Sequence, residues 1–596
     1  MAKEKASVAS VISLMSPNPE IQKPRLIKLI VKNFRCIGST PVSIDLDDIV
    51  VLVGANNVGK SSILKAYELA MSQGSTQGKL KTEDFPNNKI DTENLPEIEL
   101  HTIVYDNSPG EKWITVLTNG ERLVKERWIW ASEGEPKREG WDAQGSNWSN
   151  QVPWGAPNVA NSRRPEPHRV DAFDPPEEQA SAIKALLMKA VNDRVKNLKV
   201  ATQGEENEYH QLLEKVKELQ KKIVADSQEQ INAVNQELSL LFEKVFPNYK
   251  IDFDAKPEDN LDKTINLFKA DPQLLMGPDG GYLSAVERQG SGARRTLLWT
   301  ALKFLSDNNQ KGKDEATVRP HLLLIDEPEI CLHPNAIRDS CNVLYELPKS
   351  GNWQVMATTH SPIFIDFSRD NTTIVKVEKN SEGAIQGTTV FRPDKVNLDE
   401  DDKRNLKLLN LCDPYVAEFF FGGKVIVVEG DTEFTAFNYI KDRKPNEYKN
   451  LHIIRARGKA TIVSLIKVLN HFGSSYSVLH DSDRPQILTK DGKQMKNPAW
   501  GNNINILNAI NSKSDGTSVR LVASLPNFEE AYFGEAARTE KPYGALETIR
   551  DSEAKFNLIE SLLQSLINHE AEVPSNCAEW ETIDELKEKL EAAERQ

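Results

Sequence analysis

Gly54-Ala55-Asn56-Asn57-Val58-Gly59-Lys60-Ser61, with Ser62 behind it, restricts what this chain can fold into more than any other stretch. It satisfies G-x-x-x-x-G-K-[ST] in full. The apolar run Ile49-Val50-Val51-Leu52-Val53 leads into it, and a helix-like Ile63-Leu64-Lys65-Ala66-Tyr67 follows. A buried parallel strand ending in such a loop presents converging backbone N–H groups to phosphate, and the next helix adds the positive end of its dipole. Asn56, Asn57, Gly59, Lys60, Ser61 and Ser62 are the expected nucleotide contacts. Lys60 suits the β- and γ-phosphates, and the Ser61 hydroxyl suits Mg2+. A chance glycine-rich turn would not bring strand, lysine and helix in this order.

Composition limits the rest. A length of 596 residues leaves room for roughly four domains. The net charge of −14 means that contact with nucleic acid must come from local basic surface. Cys36, Cys331, Cys341, Cys412 and Cys577 are scattered and odd in number. They show neither zinc spacing nor a disulfide framework, which suits a reducing cytoplasm. No apolar run approaches the ~20 residues of a membrane helix. Val8–Met15 is short and serine-interrupted, so residues 1–24 read as a disordered leader rather than a signal peptide.

Leu26–Val31, Val42–Leu46, Ile98–Val104 and Trp113–Leu117 read as strands. From Trp128 to Pro176 the chain is rich in Trp, Pro, Gly and Asn, the mark of a long irregular elaboration. Its aromatics, with Arg163, Arg164 and Arg169, could grip single-stranded nucleic acid; a tryptophan-pinned structural loop is the favoured alternative. Tyr209, Leu212, Val216, Leu219 and Ile223 then recur at spacings of three and four, the seam of a helical hairpin or short coiled coil. Further on, Glu287-Arg288-Gln289-Gly290-Ser291-Gly292 opens a helix, with Ser291 and Gly292 offering a second anion site. The strand His321–Ile325 ends in Asp326-Glu327-Pro328-Glu329, and Gln354–Thr358 ends in Thr359-His360. Asp326 can hold the Mg2+ water shell, Glu327 can polarise the attacking water, and His360 can sense a γ-phosphate.

With these pieces in order, the chain resembles the ABC-type ATPases that include the RecF and SMC proteins. Ser291-Gly292 looks like their signature and His360 like their switch histidine. The resemblance implies ATP sandwiched between two heads, hence a homodimer or higher homo-oligomer. For the glutamine that completes such sites, Gln73 and Gln77 are candidates, with Asp84 as a substitute.

A second chemistry follows a charged stretch, 391–411, in which Asp399–Asp402 reads as a solvated run. The strand Lys424–Val428 ends in Glu429-Gly430-Asp431-Thr432-Glu433, where open α/β sheets place their ligands. Tyr476–Leu479 ends in His480-Asp481-Ser482-Asp483, and Val519–Val522 leads to Pro526-Asn527-Phe528-Glu529-Glu530 and then Lys541. Acids gathered at neighbouring strand ends repel one another unless cations neutralise them. Oxygen-only donors point to Mg2+ or Mn2+, the usual equipment for phosphodiester hydrolysis. Lys441, Arg443, Lys444, Lys449, Arg455, Arg457 and Lys459 form a basic cluster suited to DNA backbone contacts, or else a solvated helix face. Phe556, Ile559, Leu562, Leu563 and Leu566 make the apolar stripe of C-terminal packing helices.

This half resembles a TOPRIM domain, and an ABC-type head followed by TOPRIM resembles the overcoming-lysogenization-defect (OLD) family of ATP-dependent nucleases. The resemblance implies metal ligation by Glu429, Glu433, Asp481, Asp483 and one of Glu529 and Glu530, with Glu529 preferred. It implies that Lys541 stabilises the transition-state phosphate. It also implies a role in anti-phage defence, and relatives occur with accessory helicase or reverse-transcriptase components. The expected fold is therefore α/β throughout. Residues 25–176 and 251–395 form the RecF/SMC-like head and 177–250 an inserted helical dimerisation module. A linker (396–421), a TOPRIM nuclease domain (422–545) and C-terminal helices (546–596) complete it. The expected activity is an ATP-regulated, divalent-metal-dependent DNA endonuclease or nickase. The competing readings are a non-catalytic ATP-driven DNA clamp and a topoisomerase or primase; the latter lacks a recognisable domain for a nucleophilic tyrosine.

Overall fold

The computed structural model describes residues 23–106, 108–172, 175–181, 183–184, 187–188, 232–243, 246, 248–254, 272–308, 319–366, 369, 371–380, 383–392, 396, 398–421, 423–472, 475–488, 493–513, 517–534 and 541–595. The expected leader up to residue 22 and the Tyr209–Ile223 stripe lie outside these residues. Packing divides the chain into two units. One comprises Met1–Val50, Gly59–Thr359 and Lys379–Gln386; the other comprises Val51–Val58, His360–Glu378 and Gly387–Gln596.

In the first unit an antiparallel sheet runs in the order Val42–Asp45, Arg25–Lys32, Glu97–Val104, Arg122–Ile129, Lys137–Asp142, Asn147–Ser149. Alternation of buried and half-exposed residues along Arg25–Lys32 and Glu97–Val104 is the period-two pattern of strands with one covered face. The Trp-rich stretch is thus not irregular: it carries three strands of this sheet or its neighbour, at Lys137–Asp142, Asn147–Ser149 and Glu166–Val170. Its glycines and asparagines are the turns between short strands, and turn residues that dense hide strand periodicity in a sequence. Trp128 and Trp130 are fully buried. Arg164, also fully buried, forms an ion pair with Glu126 and lies over the Trp128 ring. Arg169 is bound to Asp171. The structural alternative therefore holds for these two arginines; Arg163 is exposed and lies 3.4 Å from Asp106.

Beside it, His321–Asp326 lies between Trp353–Thr358 and Glu166–Val170, parallel to both. All six residues of His321–Asp326 are buried, as expected of a central parallel strand.

The second unit is built on a five-stranded sheet in the order Leu451–Arg455, Lys424–Val428, Tyr476–Asp481, Val519–Ser524, Cys577–Glu579. The first four strands are parallel. The fifth is antiparallel and lies in a region expected to be helical only; at three residues it is too short to leave a periodic signal. The expected stripe of Ile559, Leu562, Leu563 and Leu566 sits on the helix Glu553–Ile567 and packs with Ile426, Val428, Phe437 and Phe528 in one core. Asp399–Asp402 is not simply solvated. Asp399 caps the helix Glu400–Cys412, and Asp402 is buried against Lys467 and Ser464.

Candidate active sites

The phosphate loop owes its shape to two glycines. Gly54, at φ +140°, leaves no room for a side chain, because a Cβ there would lie 2.1 Å from the Val377 carbonyl oxygen. Gly59, at φ +90°, caps the helix Lys60–Met71 in the left-handed region that glycine tolerates best. Asn56 and Asn57 are exposed on the loop. The helix carries Lys60 inward, where burial lowers its pKa while Glu327, Asp326 and Glu329 oppose the drop. The Ser61 hydroxyl donates to Asp326 Oδ1 at 3.0 Å, and the Thr358 hydroxyl donates to the same oxygen at 2.5 Å. The hydroxyl and carboxylate expected to hold Mg2+ therefore meet from helix and strand end. Ser62 is buried, with its hydroxyl 3.7 Å from Cys36 Sγ.

Glu327, at φ +46°, turns the chain sharply after the strand, and its N–H donates to the Thr358 hydroxyl at 3.0 Å. The Ser291–Asn308 helix begins at the expected signature. Gly292 packs so closely that a Cβ would sit 2.4 Å from the Cys331 carbonyl. Three residues on, buried Arg295 donates to the Glu327 carbonyl at 2.6 Å and the Asp171 carbonyl at 2.9 Å, tying this helix to the acidic turn. Sequence reasoning passed over Arg295, since an arginine in a helix's first turns carries no mark of burial. His360 stacks on Phe421, ring centroids 6.3 Å apart. Of the glutamine candidates, Gln73 accepts from Trp128 Nε1 at 3.1 Å, Gln77 is exposed, and Asp84 is paired with Arg35 at 3.0 Å.

In the second unit, three adjacent parallel strands deliver acids to their carboxyl ends. Glu429 follows Val428, and its Oε2 accepts from the Asp481 N–H at 3.1 Å. Glu433 lies in the first turn of Asp431–Arg443 and folds back beneath Gly430, where a Cβ would come within 2.9 Å of its Oε2. Asp481 Oδ1 accepts from the Phe528 N–H at 2.8 Å. Asn527 caps the helix Phe528–Tyr532, which directs Glu529 and Glu530 apart. Glu529 accepts from Thr432 at 2.8 Å and pairs with Lys541 at 2.8 Å. Glu530 is held instead by Arg484 and Asn527.

These carboxyls sense one another. Burial, then Glu529 and Glu429, push Glu433 up to about 8. Burial, then Glu433 and Glu429, drive Asp481 well above the usual carboxylate range. Glu429 is raised by burial and by Asp483 and Glu529, against Lys459. Burial also raises Glu529, but hydrogen bonds from Lys541 and Thr432 outweigh it and hold that carboxyl low. Among the described residues no three of these acids bring their oxygens within 4.8 Å of one another. Two are drawn to lysines: Glu529 to Lys541, and Asp483 to the buried Lys459. An oxygen-only donor set whose members raise one another's pKa fits hard divalent cations, which would relieve the repulsion.

Lys459 therefore belongs to the site rather than to a basic surface. Three other members of the expected basic cluster are also engaged: Lys441 with the Leu451 carbonyl, Lys444 with Glu560 and Arg455 with Asp431. Arg443, Lys449 and Arg457 are exposed. His480 is internal scaffolding. Its Nδ1 donates to the Asp481 carbonyl, its Nε2 accepts from Trp580, and burial pushes it down to about 3.

A phosphate-loop ATPase and an acid-ended parallel sheet in one polypeptide define a class of ATPases joined to a TOPRIM nuclease domain. Residues 25–111 and 174–365 match the AAA ATPase domain family, and residues 420–483 match the overcoming lysogenization defect protein-like TOPRIM domain. The chain is 23% identical over 474 residues to the Old nuclease of Escherichia phage P2, covering 77% of each protein. It is 23% identical over 470 residues to the OLD nuclease of Thermus scotoductus, covering 77% of this chain and 82% of that one. Among solved structures it is similar to the Smc head domain bound to the C-terminal domain of ScpA from Pyrococcus furiosus. That match has 14% identity and a TM-score of 0.39, over 61% of this chain and 96% of the other. By these matches the chain joins an AAA ATPase domain to an OLD-like TOPRIM domain, an ATPase and nuclease on one polypeptide, and it is similar to the OLD nucleases.

Proposed function

We propose that the protein is an ATP-regulated, divalent-metal-dependent DNA endonuclease or nickase acting in defence against phage. The observation that carries the reading is the gathering of Glu429, Glu433, Asp481 and Glu529 at the carboxyl ends of three adjacent parallel strands. Glu429, Glu433, Asp481, Asp483 and Glu529 would hold Mg2+ or Mn2+. Such ions supply an activated water and charge neutralisation at a phosphodiester. The chain's own residues do the rest. Thr432 aims Glu529, Lys459 restrains Asp483, and the half-exposed Lys541, paired with Glu529, would meet incoming phosphate. Exposed Arg443, Lys449 and Arg457 would add backbone contacts without base reading.

In the ATPase, Lys60 and Ser61 would bind ATP and Mg2+ with Asp326, Glu327 would orient water, and His360 would sense the γ-phosphate. By analogy with ABC-type heads, Ser291 and Gly292 would complete the site of a partner copy in a homodimer. The test is nicking of supercoiled plasmid by the full chain with Mg2+, Mn2+ or chelator, with and without ATP. Asp481→Asn should abolish cutting and leave ATP hydrolysis intact. Lys60→Ala should abolish hydrolysis and remove the effect of ATP on cutting. Cutting that persists in Asp481→Asn would refute the nuclease assignment, and cutting indifferent to both ATP and Lys60→Ala would refute the regulation.

A further inference from the structure

In the first unit, at the opposite end of the strand that carries Asp326, a third group of ligand-type side chains converges. Glu166, His168 and His321 each place one donor atom within 4.8 Å of the others. The backbone puts them there. Glu166 and His168 are alternate residues of one strand and so share a face. His321 is the register partner of Glu166 on the neighbouring parallel strand, and Trp353 is the partner of His321 on the next. The four side chains therefore form a row across the amino ends of three strands. The Trp353 ring lies 4.7 Å from the His321 ring and 5.2 Å from the His168 ring, closing one side of the row with an apolar wall. His321 is buried, and Glu166 keeps part of its carboxylate open to solvent.

The spacings suit a small metal ion. His168 Nε2 and His321 Nδ1 are 3.0 Å apart, and His321 Nδ1 is 3.6 Å from Glu166 Oε2. Bonds of about 2.0–2.1 Å in a tetrahedron put neighbouring donors roughly 3.3 Å apart, between the two observed values. Two imidazoles and a carboxylate form a borderline donor set, unlike the oxygen-only set of the nuclease site. We propose that Glu166, His168 and His321 bind one Zn2+ ion, with water in the fourth position, and that this ion braces the edge strand Glu166–Val170 against the ATPase strand His321–Asp326. Binding needs a lone pair on each facing nitrogen. The proton shared in the histidine–histidine hydrogen bond moves to the far nitrogen of its own ring, so neutral rings bind with no net proton release. The rival arrangement is a metal-free ladder, with Arg319 neutralising Glu166, whose charge it senses.

The full chain, stripped with chelator, is titrated calorimetrically with Zn2+ in excess Mg2+, which fills the oxygen-only sites. One equivalent should bind and raise the melting temperature. His168→Asn should weaken binding by more than the roughly 10–100-fold typical of losing an outer-shell partner, whereas Asp481→Asn should leave it unchanged. No Zn2+ bound in the presence of Mg2+, or affinity that survives His168→Asn, would overturn the site. Should that variant fail to fold, the unaltered chain loaded with Co2+ decides. Two hyperfine-shifted imidazole N–H protons are expected in its NMR spectrum, and none or one refutes the ligand set.

Discussion

Glu433→Gln is expected to make the metal-free protein more stable, and increasingly so as pH rises. Burial and neighbouring acids place the Glu433 carboxyl at about 8 against an ordinary 4.5. Between those values the folded chain holds a proton that the unfolded chain has released, so stability falls as pH climbs through the window. At about 1.4 kcal/mol per pH unit, this one group costs roughly 3 kcal/mol at pH 7, of which some 2–3 kcal/mol develops above pH 5. Glutamine keeps the shape and removes the titration. In chelator, the melting temperature of Glu433→Gln relative to the parent should rise from pH 5 to pH 7 by something on the order of 5–10 °C for a unit of this size. Measuring the difference between two pH values cancels any fixed packing cost of the amide. Mg2+ should then stabilise the parent more than the variant, because only the parent has the full charge for the ion to neutralise. A gap that does not widen with pH, or equal stabilisation of both proteins by Mg2+, would refute the account of this site as a strained carboxylate cluster.

Lys541→Ala should reduce plasmid nicking by at least about tenfold with little loss of melting temperature, since exposed ion pairs contribute about 0–1 kcal/mol and the Lys541 side chain is 45% exposed; unchanged nicking would remove it from the chemistry. Arg295→Ala should cost on the order of 3 kcal/mol and depress ATP hydrolysis, because it leaves the Glu327 and Asp171 carbonyls without their donor; calorimetry with a phosphate-release assay checks both. Arg164→Met should destabilise the protein by about 2–3 kcal/mol, since buried Glu126 loses the Arg164 hydrogen bonds and keeps Arg138, 3.6 Å away. It should leave affinity for single-stranded DNA unchanged in fluorescence anisotropy, and a specific loss of affinity in folded protein would restore the nucleic-acid reading of that region.

What could be read in the linear chain was whatever depends on short spacing. The phosphate loop, Asp326-Glu327, Glu-Gly-x-x-Glu and Asp-x-Asp are each positioned by one strand and the turn behind it, so a few consecutive residues carry both geometry and chemistry. The Trp-rich stretch misled because its strands are short and its turns dense, and a sheet forms there only through neighbours far along the chain. In sequence a lysine that opens a helix, as Lys459 does, looks the same whether it meets water or Asp483.

The amino-acid order by itself determined that two phosphate chemistries share this polypeptide, because catalytic loops are local. Only the tertiary structure decided which charges face one another: that Glu529 and not Glu530 joins the acids, that Lys459 and Arg295 turn inward, and that Glu166, His168 and His321 meet. Strand register and burial make those choices, and both depend on partners up to 155 residues away, as with Glu166 and His321. A carboxylate or imidazole has no fixed chemistry until its neighbours and its exposure to water set its charge.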